Sequence, residues 1–413
     1  MGAAKRGLAP GAAVSGAPAG VGQYLGRLTW ALGKPLRASI RSGHPWVYDR
    51  GLAAAPAVAA GDLVVVVDGD GPIAVGFAEP ASPIAVRVLD LDPSAVVGDA
   101  WTEERATRAA RLRVTDPALA STDGLRWIHG ENDRCPGLVV DGYAGAAVVV
   151  FDGPAAEAFW APRLGAVLSG LRAGGANLTT GWIRGQRGHK EGRALGAAPP
   201  DEVVIREGPV LFAVDVRAGQ KTGFFLDQRA NRAFVGARAA GARVLNLFSY
   251  TGGFSLHAAA GGARAVTSVD LAAPAIAAVR RNLELSGLPA GPHELVAADA
   301  FLFLAEARRA GRVFDVVVVD PPSFAPSAKA RGNALASYRG LARAAAAVVA
   351  PGGALAFASC SSHITEDDLR DCLAGVERDL RIVHAAGPAT DHPTLPAFPE
   401  GRYLKFLWAV ACD

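Results

Sequence analysis

The chain has 413 residues, half of them hydrophobic, and a formal net charge of only +3. That length exceeds one ordinary domain and predicts two or three; the slight charge guarantees no strongly basic surface. Cys135, Cys360, Cys372 and Cys412 stand apart with no C-x-x-C pair, so neither a zinc site nor a disulfide framework is expected, and a reducing compartment is. The basic residues are mostly arginine, which suits phosphate contacts but equally follows from a GC-rich genome. No apolar run approaches a membrane span and the N-terminus lacks a signal core, so a cytoplasmic protein without membrane or metal is expected.

Residues 1–23, rich in Ala, Gly and Pro, read as a disordered tail. Residues 24–101 read as a small β domain. Residues 61–67 form one strand, residues 68–71 (DGDG) a hairpin turn, and residues 73–78 and 84–89 two further strands. The segment HPWVY (44–48) precedes them. In element order and in this segment the domain resembles a PUA domain, which implies RNA binding, although fold does not fix function. Residues 102–200 read as an α+β middle domain. It holds a helix at 101–113, a hairpin of 138–141 with 146–151 around Gly142-Tyr143, a helix at 155–171 and a strand at 177–183. Residues 181–190 (GWIRGQRGHK) form a basic, glycine-rich loop suited to phosphate contacts with adjacent stacking, or a plain surface loop.

From residue 201 to 413 the pattern is doubly wound α/β. Residues 243–270 read as strand, glycine turn, helix and strand ending in Asp270. In such folds ligands bind at the carboxyl ends of the strands, and the acid after the second strand reaches ribose hydroxyls. Phe248 and Tyr250 stand where a pyrophosphate loop needs glycine. The loop therefore suits a ligand with adenosine and no phosphates, and S-adenosylmethionine fits. Further apolar strands end at Asp299-Ala300, Asp320-Pro321-Pro322 and Ser359-Cys360, so one sheet rim collects these groups. Pro351-Gly352-Gly353 reads as a turn, and residues 381–384 and 403–410 as the last strands. Residues 220–229 (QKTGFFLDQR) read as a lid over the cofactor or as interdomain packing.

The segments GQKTGFFLDQR (219–229), LNLFSYTGGFSLHAA (245–259), VDPPSFAPSAK (319–329), SCSSH (359–363) and DHPTLPAFPEGRYLKFL (391–407) resemble the class I S-adenosylmethionine-dependent methyltransferases. Within them they resemble the large-subunit ribosomal RNA methyltransferase I family, 5-methylcytosine enzymes with an N-terminal PUA domain. The resemblance implies a Rossmann-like sheet and 23S ribosomal RNA, free or in an assembling subunit, as partner; a homodimer stays open. It places Phe248, Ser249, Tyr250, Thr251 and Gly252 around the cofactor's methionine, Asp270 at the ribose, and Asp299 and Ala300 at the adenine, with Asn246 and Leu271 also among the cofactor-binding residues. Asp320 lines the pocket between cofactor and base, and Cys360 is the nucleophile.

Carbon 5 of cytosine attacks a methyl group only after a thiolate adds to carbon 6, and the base must first leave its stack. Asp320 is expected to hydrogen-bond the ring nitrogen. His363 is read as a capping or surface residue, Cys135 as structural, and Cys372 and Cys412 as small buried hydrophobes. Pro322 stands where many related enzymes carry a second cysteine. The alternatives are a methyltransferase acting on a guanine amine or ring nitrogen, which needs no thiol, and a non-catalytic RNA-binding assembly factor.

Overall fold

A computed structural model describes residues 23–185, 191–289, 292–325 and 327–413. The expected tail, up to residue 22, and residues 186–190 of the basic loop lie outside them. The chain forms two compact units, one ending at Ala95 and one spanning Val96–Asp413.

The first unit is a six-stranded sheet in the order Gln23–Tyr24, Arg27–Ala31, Leu63–Asp68, Gly71–Ala78, Ile84–Asp90 and Trp46–Tyr48. Trp30, Val47, Val64, Ile73 and Val86 fill its core. The turn after Asp68 needs Gly71, whose φ of +107° is closed to most side chains. Arg37 holds the turn by donating to Asp68 Oδ2 at 2.8 Å.

The second unit joins the middle segment to a C-terminal sheet. Its five-stranded sheet runs Arg193–Ala194, Thr180–Ile183, Ala146–Phe151, Leu138–Tyr143 and Gly124–His129. The hairpin turns at Ala144 and Gly145, both at positive φ, and not at Gly142-Tyr143, which continue the strand. The expected helix over 155–171 is broken. Pro154–Trp160 and Leu164–Ala173 flank a tight turn at Ala161–Arg163, because Pro162 removes a backbone donor.

The C-terminal sheet has strands β1 (Arg243–Leu247), β2 (Ala265–Asp270), β3 (His293–Ala297), β4 (Phe314–Val319), β5 (Val349–Ser359), β6 (Leu380–Ala386) and β7 (Lys405–Ala411). Their order is β3-β2-β1-β4-β5-β7-β6. All pairings are parallel except those of β7, which runs against β5 and β6. The Val-rich strand β4 is buried on both faces by helices, as a parallel sheet requires. Pro351-Gly352-Gly353 does not turn the chain; it sits in a bulge where β5 shifts register against β4, a place that tolerates both residue types.

Candidate active site

Register decides what meets on the rim. Leu247 pairs with Val269 and with Val319, so Phe248, Asp270 and Asp320 leave the sheet at one level. Val319 pairs with Phe357, so β5 runs two residues further before Cys360. β3 ends at Ala297, shortly before Asp299. The loop, the three acids and the thiol are thus brought to a single rim.

The loop after β1 is backbone-strained. Phe248 and Tyr250 have φ of +56° and +47°, a region non-glycine residues seldom enter and which clusters at ligand sites. Asp270 holds this shape: its Oδ2 accepts from Tyr250 N at 2.8 Å and its Oδ1 from Ala272 N at 2.9 Å. Gly252 (φ +89°) opens helix α1 (Gly253–Ala260). A Cβ there would lie 2.8 Å from Leu256 and 2.9 Å from Val279, so any other residue is both strained and crowded. Asn246 donates to Ser255 Oγ at 2.8 Å, and Ser255 meets Ser268 at 2.7 Å, pinning α1 to the sheet.

These residues fit S-adenosylmethionine. The buried Asn246 Oδ1, Ser249 Oγ and Thr251 Oγ1 have no hydrogen-bond partner among the described residues, a state that a polar ligand relieves. Each Asp270 oxygen keeps a lone pair for a ribose hydroxyl. Asp299 caps helix α2 (Ala300–Arg309), its Oδ1 accepting from Phe301 N and Leu302 N at 2.9 and 3.0 Å. Its other oxygen and the Ala300 backbone could hold the adenine edge. Leu271, 75% exposed, could cover the ribose.

On the reacting side, Asp320 is pushed up to about 6 by burial and then by the neighbouring Asp227 charge, with Lys221 and Gln228 pulling the other way. Burial also raises the Cys360 thiol, Asp320 adds to the rise, and Lys221 opposes it. Cys360 is partly exposed, while Cys135 and Cys372 are buried. Cys412 is exposed at the end of β7, which corrects the expectation that it packs inside. Lys405, brought down to about 8 by burial against the pull of Cys360 and Asp368, donates to the carbonyls of Ser361 and Tyr403 at 2.5 and 2.9 Å. His363 is exposed; the helix cap beyond it belongs to Thr365, which forms a capping box with Asp368.

The segment 220–228 is a strap that touches both the loop after β1 and the middle segment. On the cofactor side, the Phe225 ring meets Tyr250 edge-on at 5.2 Å. Towards the middle segment, Thr222 meets Tyr143 Oη at 2.7 Å and donates to Asp141. Lys221, at φ +53°, donates to Asp227 Oδ2 at 2.6 Å, and Tyr403 Oη does so at 2.6 Å. Burial opposes ionisation of Asp227, but Lys221 and His392 outweigh it and hold the carboxyl well below its usual range.

Asp227, Lys221, Gln228 and Tyr403 are site residues that reasoning from the sequence left without a role, although all four lie in the quoted motifs. Asp391 and Glu207 work behind them. Asp391 Oδ2 accepts from Arg126 N and Arg229 Nη2, both at 2.9 Å. Glu207 takes both prongs of Arg232 at 2.6 Å and meets His257 at 3.0 Å. Of the basic loop, Arg184 donates to Gly219 O at 2.8 Å, and Arg217 lies 4.9 Å over the Trp182 ring. A separate cavity of about 610 Å³, lined by Ala118, Glu207, Arg229, Ala233 and His257 among others, contains none of the rim residues.

A doubly wound sheet in this order, with this loop and these acids, defines an S-adenosylmethionine-dependent methyltransferase, and residues 185–404 match the model of that family. Residues 32–91 match a PUA-like domain. The chain is 37% identical to the "Ribosomal RNA large subunit methyltransferase" of Deinococcus radiodurans, covering 92% of this chain and 97% of that one. It is 36% identical to the "Ribosomal RNA large subunit methyltransferase I" of Photobacterium profundum, covering 89% and 95%. Among solved structures, an S-adenosylmethionine-dependent methyltransferase described from Streptococcus mutans superposes with a TM-score of 0.79 at 21% identity, covering 93% of this chain and 100% of that one. A methyltransferase complexed with SAH gives 0.80 at the same identity and coverage. These two show the shared fold. The chain belongs to the family of large-subunit ribosomal RNA methyltransferases, and its cofactor is S-adenosylmethionine.

Proposed function

We propose that this protein methylates carbon 5 of a cytosine in 23S ribosomal RNA, with Cys360 as nucleophile. One observation carries the reading: a partly exposed thiol stands on the same rim as Asp320 and the cofactor loop. When bound, the cofactor supplies an electrophilic methyl group on its sulfonium. Asn246 with Phe248 to Gly252 hold its methionine part, Asp270 with Leu271 the ribose, and Asp299 with Ala300 the adenine. Cys360 Sγ, as thiolate, forms a bond to carbon 6 of the extruded base while Asp320 gives its proton to ring nitrogen 3. A carboxyl at about 6 still holds that proton in part of the molecules at neutral pH. The electron pair then at carbon 5 takes the methyl group. Loss of the carbon 5 proton to a base expels the thiolate and restores the ring, and nitrogen 3 returns its proton to Asp320. Lys221 and Lys405 are the cations that favour the thiolate.

The PUA-like domain supplies RNA binding in this reading, and a cytoplasmic location follows from the substrate. A second reading, methylation of a guanine amine or ring nitrogen, draws on the upward push on the Cys360 thiol, since that chemistry needs no thiolate. Digestion of ribosomal RNA from cells with and without the gene, followed by mass analysis, separates the two. The cytosine reading predicts 5-methylcytosine at one position, absent without the gene. Cys360→Ala is expected to abolish transfer while S-adenosylmethionine still binds; full activity of that variant rejects the thiol.

A further inference from the structure

Asp227 carries an unused oxygen. The residue is 1% exposed and lies in the single turn Leu226–Gln228. Its Oδ2 is occupied by Lys221 and Tyr403, each at 2.6 Å. Its Oδ1 is buried and has no hydrogen-bond partner among the described residues. A bare oxygen on a buried carboxylate is costly, and such groups in native proteins await a partner. The two donors on Oδ2 prevent the carboxylate from rotating to relieve it.

The position of this oxygen matters. Tyr403, which donates to Asp227, gives its own carbonyl to Lys405, and Lys405 also holds the carbonyl of Ser361 next to Cys360, so the carboxylate and the thiol share one set of contacts; the Asp227 charge acts on both Asp320 and Cys360. The next residue points to the same place. Gln228 Oε1 accepts from Asn231 at 2.6 Å, and its side chain reaches Asp320. The strap that carries both is fastened to the cofactor loop through Phe225 and Tyr250, so these atoms share a frame with the methyl donor's site.

We propose that Asp227 Oδ1 accepts a hydrogen bond from the exocyclic amine of the extruded cytosine, and that this contact is what separates cytosine from uracil at the site. The inference rests on the cytosine reading above. Cytosine offers an amine donor at position 4. Uracil offers a carbonyl oxygen there, which a carboxylate repels. A buried acceptor left unpaired by the wrong base discriminates far more strongly than a difference in shape.

The test is a comparison of two target RNAs, one with the cytosine and one with 2-pyrimidinone, which carries hydrogen in place of the amine. Single-turnover methyl transfer is followed with the wild type and with Asp227→Ala. The analogue's carbon 6 is the more electrophilic but its carbon 5, without the amine's electron donation, is the weaker nucleophile, so the ring's own effect is read from Asp227→Ala and the contact from the further loss seen only in the wild type. The wild type is expected to be about 10- to 100-fold slower on the analogue. Asp227→Ala is expected to be slow on both and to prefer neither by more than about threefold. Because Asp227 also anchors Lys221 and Tyr403, the variant's folding is checked by melting. If it does not fold, Asp227→Asn, whose amide keeps one oxygen for Lys221 and Tyr403, takes its place, and equal wild-type rates on the two RNAs overturn the proposal. Equal rates with a carbon 5 product on both remove Asp227's role and leave the cytosine reading intact. No carbon 5 product from the cytosine RNA removes the reading itself.

Discussion

Replacing Asp320 by asparagine should make the protein more stable and less active, by amounts the site sets. The folded structure pushes this carboxyl from an ordinary value near 4 to about 6. An acid whose pKa is raised on folding binds its proton more tightly in the native state, so stability falls as pH rises through that window. The penalty is absent below about pH 4, grows between about 4 and 6, and is full above about 6. A shift of that size corresponds to about 3 kcal/mol. Asp320 is only half-buried by accessible surface, and solvent screening reduces this to about 1–2 kcal/mol. Urea denaturation of both proteins at pH 5 and pH 8 reads it directly. The variant should gain about 1–2 kcal/mol at pH 8, clearly less at pH 5, and lose about 10²–10⁴-fold in methyl transfer. An equal gain at both pH values, or none at pH 8, would refute the reasoning.

Gly252→Val forces a branched side chain into a positive-φ position against Leu256 and Val279; calorimetry should show S-adenosylmethionine affinity falling by about tenfold or more. Asp270→Ala removes the acceptor for Tyr250 N and Ala272 N and should weaken the cofactor to a similar degree, about tenfold, with little change in RNA binding measured by filter retention. Glu207→Ala leaves the buried Arg232 without its bidentate partner, and the denaturation free energy should drop by about 3–5 kcal/mol.

Much of the rim was legible because it follows from local pattern. Apolar strands ending in a glycine turn, Asp270, Asp299, Asp320 and Cys360 each show in a few consecutive residues, and parallel pairing in register collects them. The strap's function was not legible, because the partners that define it lie far apart in the chain. Tyr403 meets Asp227, Asp391 meets Arg126 and Arg229, and Thr222 meets Asp141. Composition around Asp227 alone cannot say that one of its oxygens is doubly occupied and the other without a partner among the described residues. The misplaced turns have simpler causes. Gly142 and Tyr143 look like turn residues but continue a strand, and Pro351-Gly352-Gly353 is absorbed by a bulge. Cys412 lies at a strand end, where apolar neighbours in sequence do not guarantee burial.

The central claim is that a thiol bonds the base. RNA carrying 5-fluorocytosine at the target blocks the last step, since no proton leaves carbon 5 and the enzyme stays attached. With S-adenosylmethionine present, the wild type should form a complex that survives denaturing electrophoresis and whose peptide map places the RNA on Cys360, while Cys360→Ala forms none. Methylation of normal RNA with no trapped complex, or trapping that persists in Cys360→Ala, would contradict the account.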